Sequence, residues 1–104
     1  IQGGTGADTL EGGAGVDLMA GGAGADVFIF HKTEANGDTV TDFSVGADQL
    51  RLAGFGAGST LTQLDPGGHP NDWTITDGID HSTETIHLNT HPASLTAGTD
   101  YIFI

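Results

Sequence analysis

The chain has almost no positive charge and no cysteine. Among its 104 residues only Lys32 and Arg51 are basic, against 14 acidic residues, so the formal net charge is −12. Nucleic acids and anionic membranes attract basic surfaces, and this balance therefore argues against both as partners. The absence of cysteine excludes disulfide bonds, so the stability of so small a domain must come from another source.

Long apolar runs and catalytic motifs are also missing. No stretch is long and apolar enough to cross a membrane. No serine lies in a G-x-S-x-G elbow, and no H-E-x-x-H motif occurs among the five histidines. His87 and His91 are four residues apart, but their surroundings do not look helical, so surface histidines are favoured over a zinc site. We therefore expect a non-catalytic chain.

Glycine is abundant, with 18 residues, and it organises the N-terminal part. Three nine-residue units follow one another without a gap: GGTGADTLE (3–11), GGAGVDLMA (12–20) and GGAGADVFI (21–29). Each fits Gly-Gly-x-Gly-x-Asp-x-U-x, where U is a large apolar residue, namely Leu10, Met19 or Phe28. A flexible glycine-rich linker is the alternative, but it predicts neither a fixed aspartate nor a fixed apolar position.

This pattern resembles the calcium-binding nonapeptide repeat of RTX proteins. Its glycines allow the positive φ values of a tight turn. The x-U-x segment alternates as a strand does, which points U to one face. A strand of this length cannot bury its apolar residue alone, so we expect a flattened spiral with Leu10, Met19 and Phe28 packed inside.

The repeat length suits calcium. If each coil holds two units, the turn 3–8 stacks on 21–26, and 12–17 lies on the opposite edge. Neighbouring strands lie roughly 4.8 Å apart, and Ca²⁺ holds oxygens at roughly 2.3–2.6 Å, so an ion fits between Asp8 and Asp26. Oxygen ligands favour calcium over zinc or copper, and magnesium prefers to keep its waters. Without a cation, the stacked carboxylates repel one another.

The expected Ca²⁺ ligands in the repeats are aspartate carboxylates and turn carbonyls. The candidates are Gly3, Thr5, Gly6, Asp8, Gly12, Gly13, Ala14, Gly15, Asp17, Gly21, Gly22, Ala23, Gly24 and Asp26. We expect one complete site, at Asp8 and Asp26, and a ligand-poor site near Asp17. Ile1 lies nine residues before Leu10, at the U position of a further unit, so we expect the repeats to continue upstream in a longer parent chain.

The remaining sequence reads as short strands. We predict them at 38–43, 49–52, 61–64, 72–76, 84–88 and 101–104, with a turn at 65–71 and no helix beyond a possible turn at 92–95. Inward-facing residues are Val40, Phe43, Trp73, Ile75, Ile86 and Leu88. The predicted fold is all-β. A short parallel β-roll over residues 1–30 is closed by a C-terminal antiparallel β cap over 31–104, because an open solenoid end exposes core and strand edge.

A wider resemblance covers most of the chain. The repeats, then DTVTDFSVGADQLRL (38–52), then an apolar end resemble the C-terminal hemolysin-type domains of type I secreted bacterial proteins, such as serralysin-type proteases and polysaccharide-modifying enzymes. The likeness is strong over 3–52 and loose over 53–100. It implies Ca²⁺ ligands at Asp38 and Asp42, with Glu34 as a further match. It also implies a secretion signal at the end, where Asp100 precedes apolar residues.

Two functions follow as hypotheses. In the first, the chain is a secreted module that folds on extracellular calcium, with an upstream catalytic or adhesive domain and the type I secretion machinery as partners. In the second, it is a polysaccharide-binding module, such as those attached to alginate epimerases or adhesins. Trp73 and Tyr101 could form a sugar platform, although core packing is favoured. The acidic surface argues against anionic polysaccharides unless calcium bridges the two.

Overall fold

The computed structural model describes residues 1–65, 68–90, 92 and 94–104. These residues form strands, turns and no helix, so the all-β prediction is confirmed and none of them belongs to a membrane-crossing helix. The strands are β1 (Thr9–Glu11), β2 (Leu18–Met19), β3 (Val27–His31), β4 (Thr39–Val40), β5 (Gln49–Ala53), β6 (Thr60–Asp65), β7 (His69–Thr76), β8 (Thr83–Leu88) and β9 (Tyr101–Phe103).

The strands form two sheets between which the chain alternates. The first sheet has the order β1-β3-β5-β9, and every neighbouring pair in it is parallel. The second sheet has the order β2-β4-β8-β7-β6; β2, β4 and β8 are parallel, whereas β8, β7 and β6 form an antiparallel meander. Because strands up to β5 visit the two sheets in turn, the chain coils, which is consistent with a β-roll.

The register of the coils follows the repeat length. Leu10 is paired with Phe28, eighteen positions later, and the bridge between Gln2 and Ala20 has the same offset. The predicted recurrence of two units per coil is therefore confirmed. In the next coil Phe28 is paired with Leu50, because the turn before β5 is longer than a repeat turn.

The apolar core lies between the two sheets. Leu10, Met19 and Phe28 are at most 3 % exposed, as their fixed position in the repeats predicts. Strand β3 alternates between buried and half-buried residues, with Phe28 and Phe30 inside. The other residues predicted to face inward are also buried: Val40, Phe43, Trp73, Ile75, Ile86 and Leu88.

Some predicted boundaries differ. The strand predicted over 38–43 is limited to Thr39–Val40, because the chain then turns and Asp42 accepts hydrogen bonds from the neighbouring turn. Strand β7 begins at His69, inside the turn predicted at 65–71. Residues 66 and 67 of that turn, and residue 93 of the turn near 92–95, lie outside the described residues. The division of the chain at residue 30 stays a prediction.

Candidate metal centre

The turns between the sheets lie in two stacks. The first turn stack contains the turns that precede strands of the first sheet: 3–8, 21–26, 41–48 and 94–100. The second turn stack contains 12–17 and 32–38, which precede β2 and β4. The repeats therefore contribute their turns alternately to opposite sides of the molecule.

In the first turn stack the repeat turns are in direct contact. Thr5 forms a bridge with Ala23, so the predicted stacking of 3–8 on 21–26 is confirmed. A Cβ atom on Gly22, which has φ +86°, would overlap the carbonyl oxygen of Gly4. A Cβ atom on Gly24 would likewise overlap the carbonyl oxygen of Gly6. Backbone oxygens of one turn thus face the next turn at close range.

A line of aspartates runs through this stack. Asp8, Asp26, Asp48 and Asp100 each stand directly before a strand of the first sheet, and we call them the aspartate ladder. The backbone N–H of Asp8 donates to Oδ1 of Asp26 at 2.9 Å, and the N–H of Asp26 donates to Oδ1 of Asp48 at 2.9 Å. The carboxylates of Asp26 and Asp48 therefore hold the backbone of the preceding coil.

Asp48 and Asp100 are members of this ladder that the repeat pattern did not identify. Both follow a glycine of positive φ by two residues, Gly46 at +84° and Gly98 at +87°. The same Gly-x-Asp spacing occurs in all three repeats, and this shorter pattern is the signal that could have found them. Asp100, predicted as part of a secretion signal, is 1 % exposed in the folded chain.

The repeat aspartates carry carboxylate oxygens without a partner. Oδ2 of Asp8, Asp17 and Asp26 is buried in each case and accepts no hydrogen bond. Burying an ionised oxygen without a donor or a cation is costly. These three atoms are the strongest indication of a missing positive partner among the residues that the structure describes.

Oxygens from two stacked turns converge beside Asp8. The position that a Cβ on Gly3 would occupy lies 2.7 Å from Oδ2 of Asp8 and 2.7 Å from the carbonyl oxygen of Gly21. No group of three or more His, Cys, Asp or Glu side chains suited to a metal occurs among the described residues. An ion here would therefore need backbone carbonyls as ligands, which suits calcium and not zinc.

The second turn stack brings Asp17 and Asp38 together. The N–H of Asp17 donates to Oδ1 of Asp38 at 2.9 Å. Burial raises the pKa of Asp38, which is 2 % exposed, and the nearby negative charges of Asp17, Glu84 and Glu34 add to this rise. A cation beside these groups would favour the ionised form instead.

Asp42 belongs to the first turn stack, at the start of the turn 41–48. Its two carboxylate oxygens accept hydrogen bonds from the N–H groups of Gly21 and Gly22, at 2.9 and 2.7 Å. Asp42 thus holds the start of the turn 21–26. The ligand role of Asp42, like that of the other predicted residues, stays a prediction.

Glu84 has a comparable holding role in the second turn stack. This buried side chain accepts hydrogen bonds from the N–H groups of Thr33 and Ala35, at 3.0 and 3.1 Å. It faces inward from β8, on the same side as Ile86 and Leu88. The sequence signal for this role is an acidic residue at a position that the alternation of β8 turns inward. The sequence-based prediction did not use that signal.

The next residues are the candidates for a zinc site and for a sugar platform. Nδ1 of His87 pairs with Asp72 in the neighbouring strand, and His91 lies outside the described residues, so a zinc site between them stays untested. Trp73 is 4 % exposed and belongs to the core. Its predicted packing role is therefore confirmed, and its ring is not available as a sugar platform. Tyr101 packs against the same core.

Lys32 joins two distant parts of the chain. Its Nζ lies 2.7 Å from Oδ2 of Asp77 and 2.6 Å from Oδ2 of Asp80, in the loop between β7 and β8. Asp77 also accepts hydrogen bonds from the N–H groups of Gly56, Ile79 and Asp80. The hydrogen bond from Lys32 is the largest cause that lowers the pKa of both carboxyls, to about 2 for Asp80.

We expect this ion pair to weaken in acid. A carboxyl whose folded pKa is depressed stabilises the fold above its ordinary pKa of about 4, and that contribution is lost as the pH falls through the folded value. For Asp80 the window therefore runs from about 4 down to about 2. The variant Lys32→Gln should lose less stability than the parent between about pH 5 and about pH 2, as measured by urea unfolding midpoints.

The control for this experiment is Arg51→Gln. Nε of Arg51 donates to Oε1 of Gln49 and to no carboxylate among the described contacts. This variant removes the same charge but should keep the acid dependence of the parent. If the urea midpoints of the parent and of Lys32→Gln fall equally as the pH is lowered, the ion pair of Lys32 is not the cause of the acid dependence.

Comparison with known proteins finds a similarity in the N-terminal part. Residues 1–28 match the family model of the RTX calcium-binding nonapeptide repeat (4 copies), which covers about a quarter of the chain. No curated protein and no solved structure matches the chain. The match includes the turns 3–8, 12–17 and 21–26, in which the unpartnered carboxylate oxygens lie.

Proposed function

We propose, from the match of residues 1–28 to the RTX calcium-binding nonapeptide repeat, that the whole chain is a β-roll module whose folding is completed by Ca²⁺. The repeat is a structural calcium-binding unit and not a catalytic one. The observation that carries the proposal is the set of three buried, unpartnered Oδ2 atoms on Asp8, Asp17 and Asp26.

Two ion positions are proposed. In the first turn stack, Asp8 and Asp26 would hold Ca²⁺ together with carbonyl oxygens of the turns 3–8 and 21–26. In the second, Asp17 and Asp38 would do so with carbonyls of 12–17. Asp42 is proposed to support the first position from the start of the turn 21–26. The ion would supply the positive charge that these buried carboxylates lack.

The expected calcium affinity favours sites that are empty in the cytosol and filled outside the cell. Extracellular calcium modules bind with dissociation constants of about 10⁻⁴–10⁻³ M, so cytosolic calcium is too low to fill such sites. At about 1 mM calcium, a tenfold excess over a dissociation constant of about 10⁻⁴ M, each site adds about 1.4 kcal/mol. Two sites would supply about 3 kcal/mol, a large share of the stability of a small domain, which is about 5–15 kcal/mol.

This switch suits a secreted protein. We propose that residues 1–30 are the calcium-binding repeats and that 31–104 form the C-terminal cap, whose end is read by a type I secretion system before folding. The repeats would then fold on calcium outside the cell and stabilise an upstream catalytic or adhesive domain.

The test is circular dichroism with added chelator and then calcium. In EGTA the β signal should fall, and millimolar Ca²⁺ should restore it, with uptake of the ion measured by titration calorimetry. Magnesium at the same concentration is the matched control and should not restore the signal. A chain that gives identical spectra in EGTA and in calcium, and takes up no calcium, would refute the proposal.

A further inference from the structure

The four members of the aspartate ladder differ in how their carboxylates are satisfied. Asp26 is 1 % exposed, and its Oδ2 has no partner. Asp48 is equally buried, but Oδ1 accepts the N–H of Asp26 at 2.9 Å and Oδ2 accepts the N–H of Ser44 at 2.8 Å. Two kinds of aspartate therefore occupy equivalent places before strands of the same sheet.

Asp100 belongs to the second kind. Its Oδ1 accepts the N–H of Gly46 at 2.9 Å, and its Oδ2 accepts the N–H of Thr96 at 2.7 Å. A carboxylate that receives two amide hydrogen bonds is stabilised in its charged form without any metal. A buried carboxylate oxygen that receives none is not. Asp26 therefore needs a cation to satisfy its carboxylate, whereas Asp48 and Asp100 do not.

We infer that Asp48 and Asp100 are metal-independent members of the ladder, which keep the C-terminal strands folded without Ca²⁺ and position Asp26 for the ion. The inference rests on the proposed function, in which Asp8 and Asp26 hold Ca²⁺. It adds that the calcium requirement is confined to the N-terminal coils.

The contacts around Asp48 support both parts of this role. Asp48 receives the N–H of Asp26 through its side chain, and the carbonyl of Asp26 accepts the N–H of Gln49 at 2.9 Å. The backbone of Asp26 is therefore fixed on both sides by the coil below. That coil is in turn fixed by Asp100, whose carbonyl accepts the N–H of Leu50 at 2.8 Å.

The C-terminal strands also contribute many of the residues of the single apolar core. Leu50 and Leu52 of the first sheet and Ile75 and Ile86 of the second sheet are all fully buried. The antiparallel meander β6-β7-β8 is formed by pairing within residues 60–88 and needs no repeat strand. Burial of this core gives the metal-independent coils a source of stability that does not involve the turns.

Hydrogen exchange in EGTA tests the inference on the full chain. Amides of β5, β8 and β9 should stay protected, whereas those of β1 and β2 should exchange rapidly and become protected when calcium is added. Loss of protection throughout the chain in EGTA would overturn the inference, and so would protection of β1 equal to that of β5.

Two isosteric variants separate the two kinds of aspartate. Asp26→Asn removes a charge that only the ion would satisfy. It should leave β5 and β9 protected in EGTA and raise the calcium concentration at the folding midpoint about tenfold.

In Asp48→Asn the side-chain amide can no longer accept both the Asp26 and the Ser44 N–H groups. This variant should lose protection of β5 and β9 in EGTA, and excess calcium should not restore it fully.

The outcomes distinguish this inference from the proposed function. If calorimetry finds no calcium uptake by the parent chain, the proposed function fails. If calcium is taken up but β5 and β9 are unprotected in EGTA, only the inference fails. Identical exchange patterns for Asp26→Asn and Asp48→Asn would also overturn it, because the two residues would then have the same role.

Discussion

Replacing Gly22 by alanine should prevent the turn 21–26 from stacking on 3–8, and calcium should then no longer complete the fold. Gly22 has φ +86°, a conformation that costs a residue with a side chain about 1–3 kcal/mol. The added Cβ would also overlap the carbonyl oxygen of Gly4 and lie 3.0 Å from its carbonyl carbon. Because both atoms are backbone, neither can move away without separating the turns.

The matched control is Gly4→Ala. Gly4 is the second glycine of its own repeat, lies in the same turn stack and has φ +99°, but no atom lies within 4 Å of the position its Cβ would take. It should show only the conformational cost. Calcium titrations followed by circular dichroism give the midpoint of each variant. Equal midpoints for Gly22→Ala and Gly4→Ala would show that the close stacking is not required.

Truncation of Phe28 to alanine should have the largest effect on the core. Phe28 is fully buried in β3, which lies between β1 and β5, and its ring centroid lies 6.3 Å from that of Phe43. Removing a buried phenylalanine side chain costs about 3–5 kcal/mol. Since one filled calcium site adds about 2.7 kcal/mol at a hundredfold excess, calcium at one position cannot compensate for this loss.

Urea unfolding in saturating calcium measures this cost. Leu18→Ala is the control, because Leu18 is also an apolar residue of a repeat but is 60 % exposed. Its truncation should change the free energy of unfolding by about 0.5 kcal/mol or less. If the two variants unfold at the same urea concentration, the repeats are not held together by the apolar core between the sheets.

The repeat part of the fold could be predicted because its information is local. Each unit fixes a turn and a short strand through its own glycines, and the common length sets the register between Leu10 and Phe28. The apolar position then had to face the interior, since a large apolar residue recurs there in every unit. The stacking of the turns followed from the same spacing.

The C-terminal part lacks such a period. The pairing of β5 with β9 joins Leu50 to Tyr101, and nothing in either segment specifies the other. The ion pair of Lys32 with Asp77 also spans 45 positions. Long-range contacts of this kind depend on the whole packing arrangement, so single residues gave no sign of them. Asp48 and Asp100 were missed because their Gly-x-Asp segments occur outside the nine-residue period.

The place of β9 has a consequence for shortened chains. Because β9 is paired with Leu50–Leu52 at one side of the first sheet, deleting residues 100–104 would leave the backbone N–H and C=O groups of β5 open to solvent. An open strand of this kind is a template for pairing with other chains. Aggregation, and not merely a loss of stability, is therefore the expected fate of such a truncated protein.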